Sequence, residues 1–233
     1  MCDFLLALMD RDVDWSLVIT VFGTLVAAFA GSYSAFKLNE IKFKKDTQQA
    51  EVAAANVALI QLSRMVNTME LYRRRTLAPY RESETRPYTT QCISLPLRDG
   101  DLLKIESLSF LIKNDGAELL GKIDIENQRY ASAVEMVNLR CKYHIEQIQP
   151  VLEQFGATAN VQELEDALGL RKKHTMKNLT DEMYDQVEKN CQSIKEALDL
   201  LFAKMKSVYP KEIFIKLEFL SEEEAAKLFA NKD

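Results

Sequence analysis

Residues 15–36, from Trp15 to Phe36, carry no charge at all, and Lys37 follows at once. At about 1.5 Å of rise per residue, a helix of this run reaches roughly 33 Å, against a hydrocarbon core about 30 Å thick. The run therefore predicts one N-terminal transmembrane helix, with the rest of the chain as a helical domain held at the membrane surface. No comparable signal elsewhere in the chain identifies a reaction.

The flanks of the run differ in charge. Asp3, Asp10, Asp12 and Asp14 precede it beside Arg11, whereas Lys37, Lys42, Lys44 and Lys45 follow it beside Glu40 and Asp46. Basic residues next to a span stay on the cytoplasmic side. The expected topology is a short external tail over 1–14 and a C-terminal part in the cytoplasm, with the chain in the inner (cytoplasmic) membrane. Trp15 and Tyr33 sit near the two ends, where amphipathic rings favour the interface. Ala28-Phe29-Ala30 matches a signal-peptidase pattern, but a signal peptide needs positive charge before its apolar run, and here the charge is acidic.

The run is lopsided in side-chain size. Gly23, Ala27, Gly31 and Ala35 recur every fourth residue, with Thr20, Thr24, Ala28 and Ser32 as the adjacent row. Phe22, Leu25, Phe29 and Phe36 lie largely opposite. Lipid tails give helices no hydrophobic reason to pair, so close backbone approach at small residues matters. The small face predicts self-association of the transmembrane helix.

Composition bounds the remainder. The chain has 233 residues and a net charge of −5, which gives no general reason to expect nucleic-acid binding. Seven glycines and five prolines are few, which favours long helices over a turn-rich β fold. The fold class is mainly α: a transmembrane helix continuing into a cytoplasmic antiparallel helical bundle, with a short extended segment near 212–219.

No glycine or proline occurs between Ser32 and Ala78, so the membrane helix is expected to run on as a helical extension over 37–78. Val52, Ala55, Leu59, Leu62, Val66 and Met69 repeat at three and four, as in a coiled coil or a bundle face. Pro79 ends the stretch. Residues 79–101, with Pro79, Pro87, Pro96 and Asp99-Gly100, read as a long irregular loop. The bundle domain then covers 102–233 and packs with the extension. Within it, 102–113 is expected to hold a short helix stopped by Asn114-Asp115-Gly116. Residues 117–155 form a long helix, with Val134, Val137, Cys141, His144 and Ile148 on one stripe and a kink at Pro150. A short helix over 161–168 stops near Gly169. A third long stretch over 172–208 is expected to break near Thr180 as an N-cap. Ser221 opens a short terminal helix.

Chemistry-bearing residues are sparse. Cys141 and His144 share a helix face and could join His174 and Cys191 around a metal, but no paired CxxC or HExxH spacing supports a site. Both residues lie on the apolar stripe, where core packing suffices. Neither a P-loop nor GxGxxG is present, so no cofactor and no catalytic group is assigned. Cysteine-nucleophile chemistry needs a base and an orienting group, and the two histidines sit on helical stretches. Arg73, Arg74, Arg75 and Arg81, with Arg86, form the densest arginine cluster, interleaved with Tyr72, Tyr80 and Tyr88. They are candidates for an anionic partner. The plainer reading is a solvated helix end whose arginines complement the C-terminal dipole.

The layout resembles that of small bacterial membrane proteins with one N-out helix, a charged cytosolic extension and a helical bundle. The expected function is that of a membrane-anchored helical interaction or signalling protein, homo-oligomeric through its membrane helix and docking a cytoplasmic protein. The alternative expectation is a membrane-acting effector of the toxin or anti-phage defence type. In that case Thr20, Thr24, Ser32 and Ser34 line a narrow path through assembled helices.

Overall fold

The computed structural model describes residues 15–98, 100–155 and 161–216. The expected external tail, the turn over 156–160, the end of the extended segment and the terminal helix at Ser221 lie outside the described residues. The described chain is mainly helical and contains no strand. Contacts divide it into two units, Met1–Ala50 and Glu51–Asp233.

Helix α1 covers Trp15–Tyr72. Up to Ala50 it is the only described element of the first unit. One stretch near its N-terminus is long and apolar enough to cross a membrane, and none of that stretch is buried. Its described aromatic residues are exposed, Phe29 by 75% and Phe36 by 67%.

In the second unit the remainder of α1 changes character. Ala55, Leu59, Leu62, Val66 and Met69 are all buried, so the three-and-four stripe of the sequence is a core face. The same core takes one face of α4, Ala117–Tyr143, and one of α6, Val161–Val208. On α6, Val187, Ile194, Leu198, Leu201 and Met205 are buried at the spacing the sequence shows. A smaller core joins Tyr88, Ile148, Leu164, Leu168 and Met176.

Two prolines are accommodated in the same way. Each lacks an N–H, and its ring crowds the carbonyl four residues back. Before Pro79 the helix widens into a π turn, Arg73–Leu77, and then tightens into a 3-10 turn, Ala78–Tyr80. Before Pro150 it widens over His144–Ile148 and resumes as α5, Gln149–Phe155. The expected kink at Pro150 is thus a local change of helical pitch.

Several boundaries differ from the sequence expectation. The loop over 79–101 contains a short helix α2, Arg86–Thr89, besides the 3-10 turn. The expected helix over 102–113 is a 3-10 turn, Ile105–Leu108, followed by α3, Phe110–Lys113. It stops where expected. Asp115 takes the left-handed conformation at φ 54°, and a side chain on Gly116 would meet the Leu111 carbonyl oxygen at 3.0 Å. Thr180 is not an N-cap. It is fully buried inside α6, and its hydroxyl donates to the Met176 carbonyl at 2.8 Å, a bond that lets threonine sit mid-helix. The break falls at Gly169, whose φ of 72° and ψ of 159° suit glycine alone.

The described residues of 91–104 contain no helix, yet Leu103 is buried and Leu95 and Leu102 pack on the core. Backbone taken into a core must still find partners. Asparagines on α4 supply them. Asn127 accepts from the Leu103 N–H at 2.9 Å and donates to its carbonyl at 3.2 Å. Asn138 does the same for Leu95, at 2.9 and 2.8 Å. On α1, Asn56 holds Ile213 and Ile215 by the same pattern, at 3.2 and 2.9 Å. That contact seats the start of the extended segment, with Phe214 buried. Each side-chain amide imitates one rung of a sheet.

Replacing Asn127 by Ala leaves the buried Leu103 N–H and C=O without partners. The expected cost is about 1–3 kcal/mol of stability. It is measured as a lowered urea midpoint of the full-length protein in detergent. A midpoint equal to wild type would remove Asn127 from the set of clamps.

Candidate functional site

The densest chemistry lies where the connector over 91–104 meets the C-terminal end of α4. Arg140 projects from the apolar face of that helix and is completely buried. Its Nη2 donates to the Pro87 carbonyl at 2.9 Å and its Nη1 to Cys92 Sγ at 3.1 Å, while its Nε has no partner. Among the described residues no carboxylate pairs with it. A buried cation without a counter-charge costs several kcal/mol. In its hydrogen-bond shell, Cys92 is the group that can carry the negative charge.

Two further side chains, Cys141 and His144, act on the ionisation of that sulfur. Cys141, one residue on from Arg140, is buried. His144, one helical turn on, approaches from the start of the π turn. Its Nε2 lies 3.0 Å from the Tyr88 carbonyl, which can only accept, so Nε2 carries the hydrogen. His144 Nδ1 is buried and makes no hydrogen bond. From α1, the buried Tyr72 hydroxyl donates to Met183 Sδ at 3.5 Å.

These contacts set the two thiols apart. The hydrogen bond from Cys141, aided by His144 and by the charge of Arg140, holds the Cys92 thiol far below its ordinary range against the opposing effect of burial. Cys141 moves the other way, because giving its proton to that bond and being buried both favour its neutral form. Cys92 is only partly buried, whereas Cys141 is fully buried. Cys191, elsewhere on α6, is pushed up to about 12 by burial and by the Glu70 carboxylate.

The sequence places Cys141 and His144 on the core face, and the structure keeps them there. It does not bring His174 or Cys191 to them, and no group of metal-binding side chains forms among the described residues. Cys92 and Arg140 were missed. Cys92 lies in the connector, whose path is not written in any periodicity. Arg140 carries a readable signal: a charge at the three-and-four spacing of an otherwise apolar stripe, between Val137 and His144.

The other candidate residues separate into two groups. Gly23, Ala27, Gly31 and Ala35 line one face of the first unit's helix, and all are exposed. Thr20 donates to the Ser16 carbonyl at 2.7 Å and Thr24 to that of Val21 at 2.8 Å. Arg73 and Arg74 both bond Glu70, at 2.8 and 2.7 Å, which holds that carboxyl near 2. Arg81 bonds Glu188 at 2.6 Å. Arg86 bonds Asp181 and lies 5.0 Å above the Tyr184 ring. Arg75 is exposed. The arginine cluster is thus largely matched by acidic groups of its own unit.

No protein-family model, curated protein or solved structure matches the chain.

The thiol arrangement has a direct consequence for alkylation. Because the Cys92 value is lowered, its thiolate persists as pH falls below the ordinary thiol range, and the raised Cys191 stays protonated. In the folded full-length chain, Cys92 is expected to react with iodoacetamide at about pH 6 at nearly its rate at pH 8, with Cys191 at least about tenfold slower. Site-resolved mass spectrometry of the labelled peptides gives both rates.

Proposed function

We propose that this chain is a membrane-anchored interaction module. In this reading the first unit of α1 spans the inner membrane and self-associates, and the second unit is a cytoplasmic antiparallel bundle that docks a protein partner. The observation that carries the reading is the bare apolar surface of 19–38, where Ile19, Phe22, Phe29 and Phe36 are all exposed and no charge interrupts the run before Lys37. Water does not tolerate so large a continuous apolar surface, whereas a hydrocarbon core does. A core helix would be buried, and this one is not.

The orientation rests on the lysines. Glu40 bridges Lys37 at 3.1 Å and Lys44 at 2.8 Å. Lysine count rather than net charge sets orientation, so this pairing does not weaken the cytoplasmic assignment. The leak-forming alternative draws on hydroxyls beside the glycines. Thr20 and Thr24 spend their donor hydrogens on their own helix, as a lipid-facing hydroxyl does, and that favours an anchor over a polar path.

Gly23 and Gly31 offer a clean test, because a side chain added at either meets nothing within 4 Å inside the chain. The variant Gly23→Ile, Gly31→Ile is expected to stay in carbonate-washed membranes and to lose its cross-linked oligomer by about tenfold. Wild-type protein released by the carbonate wash would end the anchor reading. An oligomer of undiminished yield in the variant would end the small-face interface.

A further inference from the structure

We propose that a recess between α1, α4 and the connector binds a small phosphate monoester, with Arg64 and Arg98 taking the phosphoryl oxygens. The inference stands on the second unit alone and needs neither the membrane span nor self-association. The recess holds about 210 Å³. Arg64 lines it from α1 and Arg98 from the connector. Both are exposed, and among the described residues neither guanidinium has a hydrogen bond or an ion pair. That sets them apart from Arg73, Arg74, Arg81, Arg86 and Arg129, each of which bonds a carboxylate. Asp101 lines the same recess, and its Oδ2 accepts the Arg98 backbone N–H at 2.7 Å. One carboxylate against two guanidinium groups leaves the lining positive, in a chain whose net charge is −5. Two cations lining one recess repel each other until an anion joins them.

The fold presents the two arginines from one frame. Arg98 begins a turn in which the Asp101 N–H donates to the Arg98 carbonyl at 3.0 Å. Gln61, one helical turn before Arg64 on α1, donates from Nε2 to the Gly100 carbonyl at 3.1 Å and ties that turn to the helix carrying Arg64. A guanidinium fork matches two oxygens of a phosphoryl group, and a dianion answers two cations where a carboxylate answers one. The rest of the lining suits the carbon part of an ester. Met65 and Tyr130 line the recess and are 1% and 3% exposed, so they form a fixed floor, and Pro96 adds apolar surface from the connector. Sites for drug-sized ligands run to about 300–1,000 Å³. The recess is smaller, which selects an ester of a few carbons or one ring over a nucleotide. A lipid headgroup carries the same phosphoryl chemistry, and the experiment separates the two sources.

The test is isothermal titration calorimetry of the full-length chain in a sugar-based detergent and phosphate-free buffer, with phenyl phosphate as the probe. Saturable binding is expected, weakened by added salt. Arg64→Gln and Arg98→Gln are each expected to weaken it by about tenfold or more, with the loss partly recovered in the corresponding lysine variants. Arg75→Gln removes an exposed arginine that does not line the recess, and it is expected to leave the affinity unchanged. Circular dichroism checks that the variants remain helical, and either arginine of the recess suffices for the test if the other variant fails to fold. The proposal is overturned if wild type shows no saturable heat up to about 1 mM phenyl phosphate, or if both glutamine variants bind as wild type does. Benzoate bound as tightly as phenyl phosphate would also overturn it, since a phosphoryl site separates the two. Binding of short-chain phosphatidate without binding of phenyl phosphate would assign the recess to a lipid and end the free-ester reading.

Discussion

A non-helical segment that carries leucines into a helical core has to find hydrogen-bond partners for its own backbone, and in this chain α4 supplies them from side chains. Asn127 and Asn138 clamp Leu103 and Leu95, and Arg140 takes the Pro87 carbonyl and the Cys92 sulfur. Together these contacts fix α2 and the residues between it and α3 along one helix. Without them, the apolar gain from burying Leu103 would be spent on orphaned amides, each costing about as much as a lost hydrogen bond. The fate of the connector therefore hangs on polar groups placed within or beside an apolar helix face.

Arg140 is the costliest of these choices. An amide could have met the Pro87 carbonyl without a charge. A guanidinium there requires an anion, and the geometry places a thiol where a carboxylate would be expected. The same arrangement that stabilises the cation makes the sulfur a nucleophile, because the two ionisations are one electrostatic problem. The buried neighbour Cys141 contributes its proton as a donor and so becomes the harder of the two to ionise. Two cysteines of one chemical type thus acquire opposite characters from a few ångströms of difference in setting.

The two π turns bear on the same region. One follows Tyr72 directly and the other begins at His144, so both helices change pitch where they border the thiol cluster. Each turn answers a proline a few residues further on, and each rotates the residues beyond it relative to a straight helix. The first unit of α1 lies under different physics. Its large apolar side chains, Ile19, Phe22, Phe29 and Phe36 among them, are exposed rather than taken into a core.

The amino-acid sequence by itself determined the uncharged run over 15–36, the mainly helical character, and the core faces of α1, α4 and α6. These follow from charge and from three-and-four spacing, which are local properties of a chain that repeats every 3.6 residues. It also marked the stop at Gly116, where a side chain would press on the Leu111 carbonyl, and the break at Gly169, where φ is positive. It could not place the connector, because extended backbone has no period once its partners are side chains on a distant helix. It misassigned Thr180, since a threonine that bonds its own helix is indistinguishable by composition from one that caps the next. Cys141 and His144 were legible as core, whereas Arg140 was missed although it interrupts an apolar stripe. Only the tertiary structure decided that Cys92 arrives beside Arg140, because the meeting depends on long-range contacts, and those are made by packing rather than by sequence neighbourhood.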